Sequence, residues 1–102
     1  MKRIGLIAGS GQFPIIFSKT AQGNNLEVCA VAHVNETDPT LENHVDAIKW
    51  VKLGQLGAII KFFRSHNVKD AVMAGAITKT NMFSNAMPDL KALKVLATMK
   101  HT

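Results

Sequence analysis

The stretch Ile4-Gly5-Leu6-Ile7-Ala8-Gly9-Ser10-Gly11-Gln12-Phe13-Pro14 decides the fold. Five residues of almost uninterrupted apolar character are too few for a helix and suit a strand covered on both faces, as in a parallel sheet. Two glycines then bracket Ser10, and Pro14 fits the first turn of a helix, where its fixed φ and missing N–H cost nothing. A strand, a glycine turn and a helix to about Gln22 follow one another, and Gly23-Asn24-Asn25 supplies a stop. A second apolar run, Val28 to Val34, closes a βαβ unit.

Working outward, Ile48 to Val51 and Ala71 to Ala74 are predicted as two more strands. Between them Leu56, Ile59, Ile60 and Phe63 fall at i, i+3, i+4 and i+7, the stripe with which a helix from Gln55 to His66 would lie on a sheet. Lys61, Arg64 and Ser65 take its other side, and Asn67 is suited to a left-handed stop. Thr37-Asp38-Pro39-Thr40 reads as a turn and Leu41 to His44 as one turn of helix. Pro88-Asp89, followed by Leu90, Leu93 and Ala97, predicts a last helix. The expected fold class is therefore α/β: a three-layer, half-Rossmann-like parallel sheet of about four strands in the order 3-2-1-4, with helices on both faces.

The composition sets bounds. The 102 residues amount to at most one domain, and 47% hydrophobic residues supply its core. The single Cys29 lies in an apolar run and cannot form an internal disulfide, which points to a cytoplasmic location and a small buried thiol. No apolar stretch approaches the ~20 residues that span a bilayer. Twelve Lys and Arg outnumber seven Asp and Glu, and the imbalance is local, because residues 47–102 carry nine of the bases and only Asp70 and Asp89 as acids. A solvated basic face and a surface for phosphate or anionic lipid are both compatible with that. Nucleic acid is not expected as a partner, since Tyr is absent and Phe13, Phe17, Trp50, Phe62, Phe63 and Phe83 sit mostly in core-like contexts.

Ligands of open parallel sheets bind at the carboxyl ends of the strands, where the strand order reverses. Two glycine-led loops reach that point, Gly9-Ser10-Gly11-Gln12 after the first strand and Gly75-Ala76-Ile77-Thr78-Lys79 after the fourth. The first matches G-x-G-x-x-G only in part, with Pro14 in place of the third glycine. An anion resting on the helix N-terminus and a plain tight turn both explain it. The acid a dinucleotide needs at the end of strand two is missing, as Ala30-Val31-Ala32-His33-Val34 precedes Glu36, which argues against NAD. His33 suits either a phosphate or a buried bond to backbone. In Leu53-Gly54-Gln55-Leu56-Gly57, Gln55 is placed to meet ligand or cap the helix, and the glycines fit a turn and close helix packing. Thr78 and Lys79 would suit a phosphate. Asp38, Glu42 and Asp46 form either a metal-holding group or a solvated acidic turn. The residue types alone provide no catalytic constellation.

Four blocks in the same order, Ile4 to Pro14, Leu53 to Gly57, Val72-Met73-Ala74-Gly75 and Pro88-Asp89-Leu90-Lys91-Ala92-Leu93, resemble the N-terminal part of the LpxI-type UDP-2,3-diacylglucosamine pyrophosphatases. That resemblance implies hydrolysis of the substrate pyrophosphate to UMP and 2,3-diacylglucosamine 1-phosphate in lipid A synthesis of Gram-negative bacteria, with Mg²⁺ or another divalent metal. It implies a two-domain enzyme whose catalytic acid lies in a C-terminal domain absent here, residues 1–102 being a single Rossmann-like N-terminal domain. On that basis the chain alone is expected to be inactive and to need no cofactor of its own. No catalytic or metal residue is assigned to it, whereas Gly9, Ser10, Gly11, Gln12, Gln55, Gly75, Thr78 and Lys79 are expected to face substrate. The expected partners are a UDP-linked glycolipid, the missing domain, the inner membrane as a peripheral contact, and a second copy in a homodimer. The sequence has Ala76 where the family often has a polar residue. A stand-alone nucleotide- or phosphate-binding module without turnover is the alternative.

Overall fold

The structure, a computed structural model, describes residues 2–76 and the backbone of Lys94 and Val95. Strand β1 (Lys2–Ala8) leads through helix α1 (Phe13–Gly23) to β2 (Leu26–His33). A 3₁₀ helix (Pro39–His44) precedes β3 (Ala47–Val51), and α2 (Leu56–Ser65) precedes β4 (Ala71–Ala74). Among the described residues the strands form one sheet in the order β3-β2-β1-β4-β5, where β5 is Lys94–Val95 and every described pairing is parallel. The predicted 3-2-1-4 order is present, extended by one strand. At Lys94 and Val95 the predicted helix is not found: these residues pair with Val72 and Met73. At these two residues the pairing gives β4 a ladder partner on its outer side. The rest of that predicted helix, with Phe83, Thr78 and Lys79, lies outside the described residues.

Each central strand buries both faces. Ile7, Cys29, Val31 and Met73 point to one side, where Ile59 and Phe63 of α2 pack against them at 0% exposure. Leu6, Ala8, Val28, Ala30 and Val72 point to the other, against Ile15 and Ala21 of α1 and Leu41 of the 3₁₀ helix. Complete burial of Ile59 and Phe63 is worth about 1.5–3 kcal/mol each. Lys61, Arg64 and Ser65 lie on the exposed side of α2, as the stripe requires. Cys29 is buried, and burial raises its thiol pKa.

The glycine roles differ in part from expectation. Gly57 is exposed, and among the described residues no atom lies within 4 Å of where its Cβ would be, so close packing against them does not account for it. The close approach occurs at Gly5 in β1, where a Cβ would stand 2.9 Å from the Phe63 ring and 2.9 Å from Val68 Cγ1. The reversals after α1 and α2 fall on Asn25 (φ 64°) and Asn67 (φ 56°), a conformation Asn tolerates better than most residues. Arg3 joins three elements, through Glu27 Oε1 at 2.9 Å across the β1–β2 register and His66 O at 2.8 Å behind α2.

Candidate functional site

The loops after β1 and β4 meet at the carboxyl edge of the sheet. Ser10 N–H donates to Ala76 O (3.0 Å), Ala76 N–H donates to Ser10 O (3.1 Å), and Gly9 N–H donates to Ala74 O (2.8 Å). The Ser10 hydroxyl adds a bond to the same Ala76 carbonyl at 3.3 Å. Position 76 thus contributes backbone alone, and an alanine serves. Gly75 has φ +97°, and a Cβ on it would sit 2.6 Å from Ser10 O and 2.8 Å from the Gly9 carbonyl carbon. The two chains can approach this closely because residue 75 has no side chain.

Gly11 is also left-handed (φ +90°), but no atom lies within 4 Å of where its Cβ would be. That space belongs to a cleft of about 680 Å³ beside the N-terminus of α1. Gly11 and Gln12 form one wall, the Val34–Asp38 loop with Pro39 forms the opposite one, and Trp50 of β3 closes the side. The walls meet in a weak contact, Gln12 Nε2 to Asp38 Oδ2 at 3.5 Å. The size falls within the range of small-molecule sites, which combine apolar walls with a few fixed polar groups.

The β2 side of the cleft is rigidly built. Asn35 takes φ 68°, and the loop folds back so that the Glu36 and Thr37 N–H groups both donate to His33 O. His33 is fully buried with Nδ1 2.8 Å from Ala8 O, and the Thr37 hydroxyl donates to that same carbonyl and accepts from His33 N–H, at 2.8 Å each. His33 therefore ties β2 to the end of β1, the backbone-bonded alternative of the two. Asp38 caps the 3₁₀ helix: its Oδ1 accepts from Thr40 N–H (2.9 Å) and from the Thr40 hydroxyl (2.8 Å). These bonds, foremost the backbone one, hold its carboxyl below the ordinary aspartate value.

The expected site residues separate into three groups. Gly11 and Gln12 line the cleft; Gly9, Ser10 and Gly75 form the backbone clasp; Gln55 lies apart from both. Gln55 precedes α2 without a side-chain cap, and its Oε1 accepts from Lys52 N–H at 2.7 Å, closing its own turn. Thr78 and Lys79 are outside the described residues. Glu36 and Trp50 were not among the expected site residues, and Asp38 was considered only with Glu42 and Asp46 as a metal-holding group or acidic turn, because the acid was sought at the end of β2 itself while Asn35 reverses the chain and returns both acids to that edge. The acids Asp38, Glu42 and Asp46 are each engaged separately: Asp38 caps the 3₁₀ helix, Glu42 accepts from Trp50 Nε1 at 3.1 Å, and Asp46 Oδ2 accepts from Val28 N–H and Gln22 Nε2. Among the described residues no three His, Cys, Asp or Glu side chains come together to hold a metal. Among them, too, no helix is long and apolar enough to cross a membrane.

A parallel βαβ sheet with a ligand-sized cleft at the carboxyl ends of β1, β2 and β3, on the opposite side of β1 from the strand reversal where the site was expected, defines a Rossmann-like domain, and solved structures share the fold. A leucoanthocyanidin reductase from Vitis vinifera, described as a binary complex with NADPH, superposes with a TM-score of 0.61 at 20% identity, over 89% of this chain and 33% of that one. A phosphoribosylglycinamide synthetase from Anaerococcus prevotii gives a TM-score of 0.59 at 17% identity, over 84% and 21%. The chain belongs to the LpxI N-terminal domain family, whose model matches residues 3–102. It is also 29% identical over 99 residues to the UDP-2,3-diacylglucosamine pyrophosphatase LpxI of Caulobacter vibrioides, covering 97% of this chain and 34% of that protein. The chain thus spans about a third of that curated relative's length.

Proposed function

We propose that this chain supplies the phosphate-facing wall of the substrate cleft in a UDP-2,3-diacylglucosamine pyrophosphatase of lipid A synthesis. One observation carries the reading: Gly11, held at φ +90°, opens onto empty cleft at the head of α1, where a helix N-terminus favours a phosphate. In the overall reaction water adds to phosphorus, one P–O bond of the pyrophosphate breaks, and UMP and 2,3-diacylglucosamine 1-phosphate leave. In this reading the wall binds and orients the substrate. Hydrolysis, with any divalent ion it uses, is assigned to the remaining two-thirds of such an enzyme. The substrate's acyl chains also give the exposed Lys61 and Arg64 of α2 a use, as a cytoplasmic face turned towards anionic membrane lipid.

The test compares this chain with a longer protein from the same gene in a Mg²⁺-containing assay that follows UMP release. The longer protein is expected to release UMP and the chain alone to release none, and Gly11→Val in the longer protein is expected to lower kcat/KM at least tenfold, by filling the space a phosphate needs. An inactive longer protein, or a valine variant as active as its parent, would refute the reading.

A further inference from the structure

We propose that the α2 side of the sheet is a docking surface for an anionic membrane, with Lys49, Lys52, Lys61 and Arg64 as the residues that meet lipid headgroups. The proposal deepens the lipid-facing role given above to Lys61 and Arg64, and it adds the cations of β3 and of the turn after it and the orientation of the domain.

Three observations carry it. The first is that the sheet separates charge. Side chains alternate between faces along a strand, so Lys49 stands on the same side as Ala47 and Val51, which pack into the α2 cluster. Lys61 and Arg64 lie on the outer side of α2, Lys52 sits in the turn that leads into it, and all four are exposed. On that side Glu27, in step with Cys29, is already matched by Arg3 at 2.9 Å. Lys69 and Asp70, next to each other ahead of β4, offset each other. Acids dominate the opposite side: Asp38 and Glu42 go with the 3₁₀ helix and Asp46 bonds to Gln22 of α1, against Lys2 and Lys19. An anionic surface attracts the first side and repels the second, which fixes how the domain lies on it.

The second observation is shape. Lys61 and Arg64 share a shallow hollow of about 540 Å³ with Gly57, Ile60 and Ser65, and Lys49 stands on β3, the edge of the sheet. Cations spread over a helix and a strand edge suit a lipid surface, which presents negative charge at many places at once. The third observation separates a bilayer from a nucleic acid strand. Phe62 is half-buried beside Phe63 and His66, with ring centroids 5.9 and 4.4 Å away, and Phe63 is fully buried. Among the described residues α2 therefore offers no exposed ring on which a base could stack.

The test is cosedimentation of this chain with vesicles of phosphatidylcholine and phosphatidylglycerol in equal parts, compared with vesicles of phosphatidylcholine alone. The chain is expected to bind the first and not the second, and to be released as salt rises towards about 1 M, where the screening length falls to about 3 Å. Lys49→Gln and Lys61→Gln should each weaken partition about fivefold, the worth of one basic residue near such a surface. Lys19→Gln, on the opposite side, should leave partition unchanged. Equal binding to both vesicles, binding to neither, or a loss in Lys19→Gln as large as in Lys61→Gln would overturn the proposal. So would displacement of the chain from the vesicles by polyuridine at matched charge, which would assign the face to nucleic acid. UMP release from detergent-dispersed substrate by the longer protein separates this face from the cleft. It should be unchanged in both lysine variants, and a fall there would place these lysines on the substrate instead. A longer protein that binds vesicles as expected but releases no UMP would refute the reaction and leave the docking face standing.

Discussion

Replacing Gly75 by alanine should destabilise the protein by about 3–4 kcal/mol. Two terms contribute. Alanine at φ +97° carries the left-handed penalty, roughly 1–2 kcal/mol. Its Cβ would also stand 2.6 Å from Ser10 O and 2.8 Å from the Gly9 carbonyl carbon, both backbone atoms that cannot swing aside. Relief requires the loops to part, which breaks the reciprocal Ser10–Ala76 pair, and two backbone hydrogen bonds are worth about 1 kcal/mol net apiece. Gly11→Ala isolates the first term, because φ is +90° there but nothing lies within 4 Å, and it should cost about 1–2 kcal/mol. Gly23→Ala, at the end of α1 with neither feature, should be neutral or stabilising by up to about 1 kcal/mol. Urea unfolding of the three variants and the parent measures the series. The gap of about 2 kcal/mol between the Gly75 and Gly11 variants corresponds to roughly 8–16 °C in Tm for a domain of this size. If Gly75→Ala cost no more than Gly11→Ala, the clasp between the loops would be wrong.

Two further outcomes are expected. Gly5→Ala should cost about 1–3 kcal/mol by driving a methyl into the Phe63 ring and Val68; combined with Phe63→Leu the two losses should sum to less than their separate values, and strict additivity would show that the ring is not the obstacle. Asp38 has a folded pKa below its unfolded one, so its contribution is present above about pH 4 and disappears as pH falls through the lower folded value. The difference in urea midpoint between the parent and Asp38→Asn should accordingly shrink below about pH 4; a gap independent of pH would contradict the ion's role at Thr40.

Much of the fold is legible in the sequence because the physical signals are local and dense. Leu6 to Ala8 and Val28 to Ala32 are apolar without alternation, and both faces of those strands are covered. The stripe on α2 gives both its type and its orientation. The right-handed parallel crossover then leaves little choice of strand order. β5 is different, since nothing local in Lys94-Val95 marks a strand and its partner is the edge of β4 more than 20 residues earlier. The glycine turn of the site is legible because φ above zero needs glycine, although only Gly11 turns out to face open space while Gly9 and Gly75 serve the clasp. The opposite wall is hidden for two reasons. A spacing rule for an acid assumes that the chain runs on past β2, whereas Asn35 turns it back. Trp50 reads as a core aromatic, and only the Glu42 bond shows its indole fixed at the cleft.

The parallel register also sets the entropy of building this cleft. Gly5 is paired with Cys29 on one side, 24 residues along the chain, and with Ala71 on the other, 66 residues along. Closing the longer span costs about 0.9 kcal/mol more in chain entropy than closing the shorter one. The walls of the cleft, the Gly11 turn and the loop after β2, belong to the short span, and the clasp to Ala76 belongs to the long one. The pocket therefore sits within the more locally closed half of the sheet, and the β4 loop fastens to a turn whose opposite wall is already set by nearer neighbours.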